Sequence, residues 1–354
     1  MTDVEIASQK TEYSQSLGSA VSWRDLDLNR EASSISSVTN VDNVLSGFIW
    51  QDDDEDTSSW LPQGITGLKD TSLGKKTIVV SWYHETKGVR LSFVDLETRT
   101  YRHVLLIISG NDVIAPLLAH AGGIATIGHV IYVAHTSFGI RQFDTRLIYP
   151  AVASSNSDFG IKSNGDIEAY NYRYVLPQQY SYDASSYIGN NPSSISKFSF
   201  LSRIWADSDN DVIGLLSGNF NRDNSDYENS PSRICRWLMD TTANTLRLNG
   251  DVIVLNCENV QGAVLRTVND EDVLYLSRSY SSTEYKLYVV QVPSDYSNPS
   301  VLGGFTKYDW CARSEDLFLS STDNLWCLTE TKQSDPSSIA RRVVFRVDPD
   351  SYSV

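Results

Sequence analysis

The chain reads as an all-β protein built from repeated sheets, and three observations carry that reading. First, a cassette recurs. A small-residue turn leads into an apolar strand that ends near Ser or His, and an alternating strand follows that often ends near Asp. It runs Gln63-Gly64-Ile65, Thr77–Trp82, Val89–Asp95; then Gly122-Gly123-Ile124, Val130–His135, Ile140–Asp144; then Gln261-Gly262-Ala263, Asp272–Ser277, Tyr285–Val290. Second, 19 Tyr and 8 Trp accompany many Val and Ile, residues that suit half-buried pleated surfaces, while long helical heptads are missing. Third, 41% of the 354 residues are hydrophobic, enough for a substantial core, yet no apolar run reaches the length of a membrane-spanning helix. Self-similarity at a long period marks a repeat architecture. Together these predict a single β-propeller, with function expected on the axis where the blades converge.

Residues 1–45 are Ser-rich and weakly patterned and read as a partly ordered N-terminal arm; the propeller domain is expected over 46–354. Leu45–Trp50 is a strand candidate, and the strand around Phe48 is placed to complete the last blade and close the ring, which removes exposed edges. The acidic run Gln51–Asp56 reads as a solvated loop, because contiguous carboxylates lack the alternating spacing and turn glycine of a calcium loop. The first blade follows from Trp60-Leu-Pro-Gln-Gly-Ile-Thr66 through Thr77–Tyr83, Val89–Asp95 and Tyr101–Ile107. A second opens at His120 and continues through Val130–His135 and Ile140–Phe143. A polar insertion over 154–196, rich in Tyr, comes next and is expected to cover a pocket, since loops of this length in compact domains are functional or disordered. The third blade is assigned to Phe198–Trp205, Val212–Ser217, Arg233–Met239 and Thr245–Leu248. Asp207–Asp211 between its first strands reads as a hairpin turn, because Val212 and Gly218 occupy the positions where an EF-hand loop needs Gly and Glu. The fourth blade starts at Asn259, and the fifth near Tyr308 with strands at Asp316–Leu319, Asn324–Thr329 and Arg342–Val347. Five blades are counted, with room for a sixth in the arm or the insertion.

The formal charge of −15 opposes a phosphate backbone and an anionic membrane, so nucleic acid and membrane are not expected partners. The start, Met1–Ser8, lacks a basic segment and an apolar segment of a secretory leader, which predicts a cytoplasmic protein unless a leader was removed. Cys235, Cys257, Cys311 and Cys327 are too few for a disulfide framework; Cys311 and Cys327 are placed to meet on neighbouring strands, and buried free thiols are the preferred reading. No Cys-x-x-Cys pair, nucleophile elbow, phosphate loop or dinucleotide fingerprint occurs. His120, His129 and His135 share one blade, but strand alternation works against their convergence on a metal, and no metal or other cofactor is expected.

The first strand of each blade lines the axis, where small residues permit close approach. Candidate substrate-binding residues there are Gln63, Arg203, Gln261 and Arg313, with Trp60 and Trp310 as an aromatic wall and Trp205 and Tyr174 beside it. His120 is the candidate catalytic acid or base, because it precedes the axial Gly122-Gly123 and an imidazole titrates near neutrality. The remaining Trp residues, among them Trp82, Trp237 and Trp326, are expected to anchor the core between blades.

Several strings form a set: Trp60-Leu-Pro-Gln-Gly-Ile-Thr, Val80-Ser-Trp-Tyr, Gly88-Val-Arg-Leu-Ser-Phe-Val-Asp, Tyr101-Arg-His-Val-Leu-Leu, His120-Ala-Gly-Gly-Ile and Tyr172-Arg-Tyr-Val-Leu-Pro. Over about residues 60–350 the set resembles a family of propeller proteins of actinobacteria and fungi. Within it the chain resembles the hetero-Diels–Alderases of fungal tropolone-sesquiterpenoid biosynthesis. The resemblance implies a cofactor-free pericyclase in natural-product biosynthesis, acting on polyketide and terpenoid small molecules. It would assist loss of water from a hydroxymethyl tropolone and hold the resulting quinone methide against a humulene-type alkene. It carries over no catalytic residue. Two other readings are a carbohydrate-binding propeller with a site repeated between blades, and a metal-dependent propeller lactonase. The blades share strands but not polar sets, which favours one asymmetric pocket over repeated sites.

Overall fold

A computed structural model describes residues 8–10, 17–69, 76–110, 113–185, 197–205, 212–220, 232–240, 245–280, 284–293, 301–320, 323–331 and 341–354. The Asp207–Asp211 segment and residues 186–196 of the insertion lie outside them. Among the described residues no helix is long and apolar enough to cross a membrane.

The protein is all-β. Among the described residues the strands group into five antiparallel four-stranded units. Blade 1 is Leu61–Lys69, Lys76–His84, Gly88–Asp95 and Thr100–Gly110. Blade 2 is Ile124–Ile127, Val130–His135, Gly139–Asp144 and Tyr174–Asp183. Blade 3 is Phe200–Trp205, Val212–Gly218, Ser232–Asp240 and Thr245–Leu255. Blade 4 is Val260–Val268, Glu271–Tyr280, Glu284–Val292 and Thr306–Asp309. Blade 5 is Ser314–Leu319, Leu325–Thr329 and Val343–Val347, and its fourth strand is Val44–Ile49 from the start of the chain. The five first strands contact one another in a closed cycle around the axis.

Each blade buries both faces against its neighbours, and the core divides accordingly into five apolar clusters. Val79, Leu91, Ile124 and Val133 join blades 1 and 2. Tyr132, Ala134, Leu215 and Trp237 join 2 and 3. Phe200, Leu216, Leu274 and Leu276 join 3 and 4, and Val264, Tyr275, Leu317 and Phe345 join 4 and 5. Val80, Trp82, Trp326 and Val344 close the cycle between 5 and 1. Burial on both faces explains why Gly88–Asp95 is buried at every position and reads as an apolar run with only weak alternation.

The glycines of the cassette set the spacing of the ring. A Cβ on Gly123 would lie 1.9 Å from the Leu201 nitrogen, and one on Gly262 would lie 2.6 Å from the Leu317 nitrogen. The serines that end the second strands tie blades together: Ser81 Oγ donates to the Ala121 carbonyl of the next blade's approach, and Ser277 Oγ donates to Ser314 Oγ of blade 5.

In the N-terminal arm, Ser8–Lys10 pairs with the fourth strand of blade 2, Ser22 and Asp25 form a capping box around a 3-10 turn that buries Trp23, Arg30–Glu31 pairs with the outer strand of blade 1, and Ser33–Ile35 pairs with the fourth strand of blade 5. One expectation is corrected: the insertion is shorter than read, because Tyr174–Asp183 is the fourth strand of blade 2. Its first part pairs in parallel with Leu105–Ile107 and joins the rims of blades 1 and 2. Between the rims remain residues 151–173, with a small hairpin of Phe159–Ile161 and Ile167–Ala169.

Candidate functional site

The acidic run that reads as solvated instead builds a buried polar centre. Asp52–Glu55 forms one short helical turn with Asp54 and Glu55 buried. Asp54 turns inward onto blade 1. Arg90 Nη2 donates to Asp54 Oδ1 at 2.7 Å, Tyr101 donates its hydroxyl to Oδ2 at 2.6 Å, and Arg30 Nε lies 3.1 Å from Oδ2. His103 Nε2 is 3.0 Å from the same oxygen. Burial alone would raise the Asp54 pKa; the facing His103, Arg90 and Arg30 outweigh it and hold the carboxylate well below its usual range. Burial, reinforced by Arg90, lowers the His103 pKa to about 4. The neutral ring therefore donates from Nε2 to Asp54 and accepts at Nδ1 from Ser92 Oγ, 2.9 Å away. Ser92 in turn accepts from Trp82 Nε1 at 2.8 Å. Glu55 makes a second anchor, accepting from the Arg342 amide at 3.0 Å.

In front of this network lies a cavity of about 470 Å³, within the range of small-molecule sites. Blade 1 supplies Trp60, Lys87, Arg90, Arg102 and His103; the arm supplies Asn29 and Arg30; the insertion supplies Asn156 and Tyr170–Arg173. Among the described residues five that line the cavity are cationic and none is a carboxylate, although the chain carries a net charge of −15. Arg30 is offset by Asp53 and Asp54, Arg90 by Asp54, and Arg102 by Asp27. Lys87 and Arg173 form no ion pair among the described residues. The walls are aromatic. The Arg90 guanidinium is sandwiched between Trp60 and Trp82, at 4.7 and 4.6 Å from the ring centroids, and Nη1 donates to the Tyr172 hydroxyl at 3.3 Å. Lys87 lies over Tyr170, 5.4 Å from its centroid, and Tyr172 meets Trp60 edge-on at 5.9 Å. Cations backed by aromatic faces can hold a planar anion, and Asp54 fixes the position of Arg30 and Arg90.

The residues assigned to one axial site fall in four places. Trp60 lines the lateral cavity. Gln63, His120, Gln261 and Arg313 stand at the axial mouth where the first strands begin. Arg203 and Trp205 lie near the opposite end of the axis, with Arg203 between the rings of Trp205 and Phe318. Trp310 and Tyr174 are structural: Trp310 is fully buried against Phe345 and Tyr352, so it forms no axial wall, and Tyr174 is buried under Arg102 in the outer layer.

At the mouth, Gln63 and Gln261 occupy equivalent β-bulges, and Glu315 occupies the same bulge in blade 5. Gln261 Nε2 donates to Glu315 Oε1 at 3.4 Å, whereas Gln63 Nε2 turns back to the Pro62 carbonyl at 2.9 Å. His120 stacks on Tyr83 at 4.3 Å, and desolvation in the mouth lowers its pKa. Burial, with Glu330 nearby, raises Glu315 well above the usual carboxylate range, and burial raises Glu330. Sequence reasoning missed Glu315; its place in the cassette, aligned with Gln63 and Gln261, was the signal. His129 and His135 are apart in function: His129 is 3.8 Å from Asp144, and His135 accepts from Arg141. Among the described residues no group of three metal-ligating side chains converges. All four cysteines are free, with Cys311 and Cys327 both buried.

No known protein-family profile matches the chain, and no curated protein matches it. Solved structures align with it at low similarity. A provisionally named 6-phosphogluconolactonase from Bacteroides uniformis is 12% identical, with a TM-score of 0.38 over 85% of this chain and 89% of that one. A protein of unknown function from Dyadobacter fermentans is 7% identical, with a TM-score of 0.39 over 88% and 99%. A cobalt-substituted Synechocystis ACO is 8% identical, with a TM-score of 0.33 over 90% and 71%. At these scores none of the three bears on this chain's activity.

Proposed function

We propose that the lateral cavity binds a planar organic acid and that the protein is a cofactor-free lyase and cyclase acting on a tropolone-type substrate. One observation carries this reading: a single cavity joins five cationic side chains to the rings of Trp60, Tyr170 and Tyr172, with no carboxylate in its lining among the described residues. A hydroxymethyl tropolone is flat and acidic. Cations around the ring oxygens favour its enolate. Charge pushed from that enolate expels the hydroxyl of the side chain, so the ring proton and the hydroxyl leave together as water and a quinone methide remains. The new carbon–oxygen and carbon–carbon bonds to a humulene-type alkene then form in one pericyclic step. That step needs orientation more than a nucleophile, and fixing two reactants supplies several kcal/mol of barrier reduction. The lining draws on the arm and the insertion, which the other blades do not repeat, and this favours one site over the repeated sites of a lectin.

The test has two stages. Tropolone should quench Trp60 fluorescence saturably at pH 8, and Lys87→Met should weaken its binding about tenfold, the ~1.4 kcal/mol of one charge-assisted contact. Incubation with a hydroxymethyl tropolone and a humulene alcohol should then give adduct faster, or with a different stereochemical outcome, than buffer alone. Identical rates and stereochemistry sink the enzymatic reading.

A further inference from the structure

A second cavity, of about 90 Å³, lies near the end of the axis opposite the mouth and takes part in none of the chemistry above. We infer that it is a binding site for a small carboxylate with a compact apolar body, held by Arg203.

Arg203 has no anionic partner among the described residues. Arg203 sits on the first strand of blade 3, and its guanidinium is stacked between Trp205 and Phe318, 4.5 and 4.6 Å from their centroids. Its hydrogen bond is from Nη1 to the neutral Thr126 Oγ1 at 3.3 Å, and its buried Nε has no partner. Burial lowers its pKa to about 9, so it remains charged at neutral pH. A buried cation is costly unless it is paired, and the stacked rings and one hydroxyl replace only part of its hydration.

The rest of the lining points the same way. Among the described residues the Arg346 guanidinium meets neutral oxygens only, Ser46 Oγ at 2.8 Å and Asn324 Oδ1 at 3.1 Å. Lys76 is the third cation, and no Asp or Glu lines the cavity among the described residues. Leu68, Ile78, Phe318 and Trp326 supply apolar walls. An inorganic anion would satisfy the arginine but leave those walls without a partner, whereas a neutral apolar molecule would leave the cation unpaired. A carboxylate on a short aliphatic or single-ring body satisfies both. The planar guanidinium suits bidentate carboxylate recognition, which Lys would not reproduce.

The test is a series of thermal melts with propionate, isobutyrate and benzoate, with propionamide and chloride as controls at matched ionic strength. The carboxylates should raise Tm progressively with concentration, as a ligand that binds only the folded state must. Propionamide and chloride should not. Arg203→Met should melt at or above the wild-type temperature without ligand, because it removes an unpaired cation, and should lose the carboxylate shift. Arg203→Lys should keep a shift reduced several-fold, and it carries the test if Arg203→Met does not fold. No carboxylate shift up to tens of millimolar overturns the inference, and so does an equal shift with chloride or an undiminished shift in both variants. Tropolone binding in the lateral cavity should be the same in Arg203→Met and wild type, so the two sites fail or succeed separately.

Discussion

At the scale of the residue, the protein places groups of opposite titration behaviour in one small ring. His103 and His135 both have pKa values lowered to about 4, each first by burial, so the unfolded chain takes up their protons before the folded one does. Their contribution to stability is complete above the ordinary histidine pKa of ~6.5 and is lost as pH falls from there toward 4. Glu315 and Asp316 act in the other direction. Burial raises both pKa values, so the folded state holds their protons longer; their contribution is complete below the ordinary carboxylate range and is lost as pH rises through the folded values. Glu315→Gln keeps an acceptor for Gln261 and removes the titration. Its Tm should exceed that of wild type at pH 8 by several degrees, and the difference should close by pH 4.5. A difference independent of pH would show that the Glu315 carboxyl does not titrate as its surroundings require.

At the scale of the element, the first strands matter most, because a side chain there meets another blade's backbone. Gly123→Ala places a methyl group where the Leu201 nitrogen stands, 1.9 Å away, and no rotamer relieves that clash. The variant should separate blades 2 and 3 and yield little soluble protein. Gly128→Ala, in a turn with open space around it, should lose far less, although its positive φ costs something. Soluble expression and melting temperature check the contrast. This layer was legible in the sequence because each cassette writes its turn and its apolar strand in order, and the first and third add the serine that ties blades together, Ser81 and Ser277. The lateral cavity was not. Its lining comes from the arm, blade 1 and the insertion, no two of them joined by a motif. Asp54 faces Arg90 and His103 across 36 and 49 positions, and Arg342 reaches the Asp54 carbonyl across 288. An acidic run with distant partners looks the same on the page as one left in water. Blades 1 and 4 carry Gln at the bulge and blade 5 carries Glu, and only the alignment of all three exposes Glu315.

At the scale of the whole molecule, closure depends on one short strand. Val44–Ile49 completes blade 5, and the flanking Ser33–Ile35 covers its outer edge. Phe48 and Ile49 belong to two different inter-blade clusters, so this strand supports both junctions of blade 5. Phe48→Asp puts a charge into the blade 5–blade 1 junction and should open the whole ring. Melting followed by tryptophan fluorescence and by far-UV circular dichroism should drop together, by ten degrees or more. A drop confined to one signal would mean that the blades unfold separately.

The same strand also determines how the molecule responds to load. Val44 pairs with Val347 and Ile49 with Val343, so the chain enters one strand and leaves the other at the same end of the pair. Tension applied between the two flanking segments peels this ladder bond by bond instead of shearing it as a block. The ring thus resists heat as a closed body but yields at one seam to a pull applied beside that ladder, and tethers attached next to Val44 and Val347 would open blade 5 first.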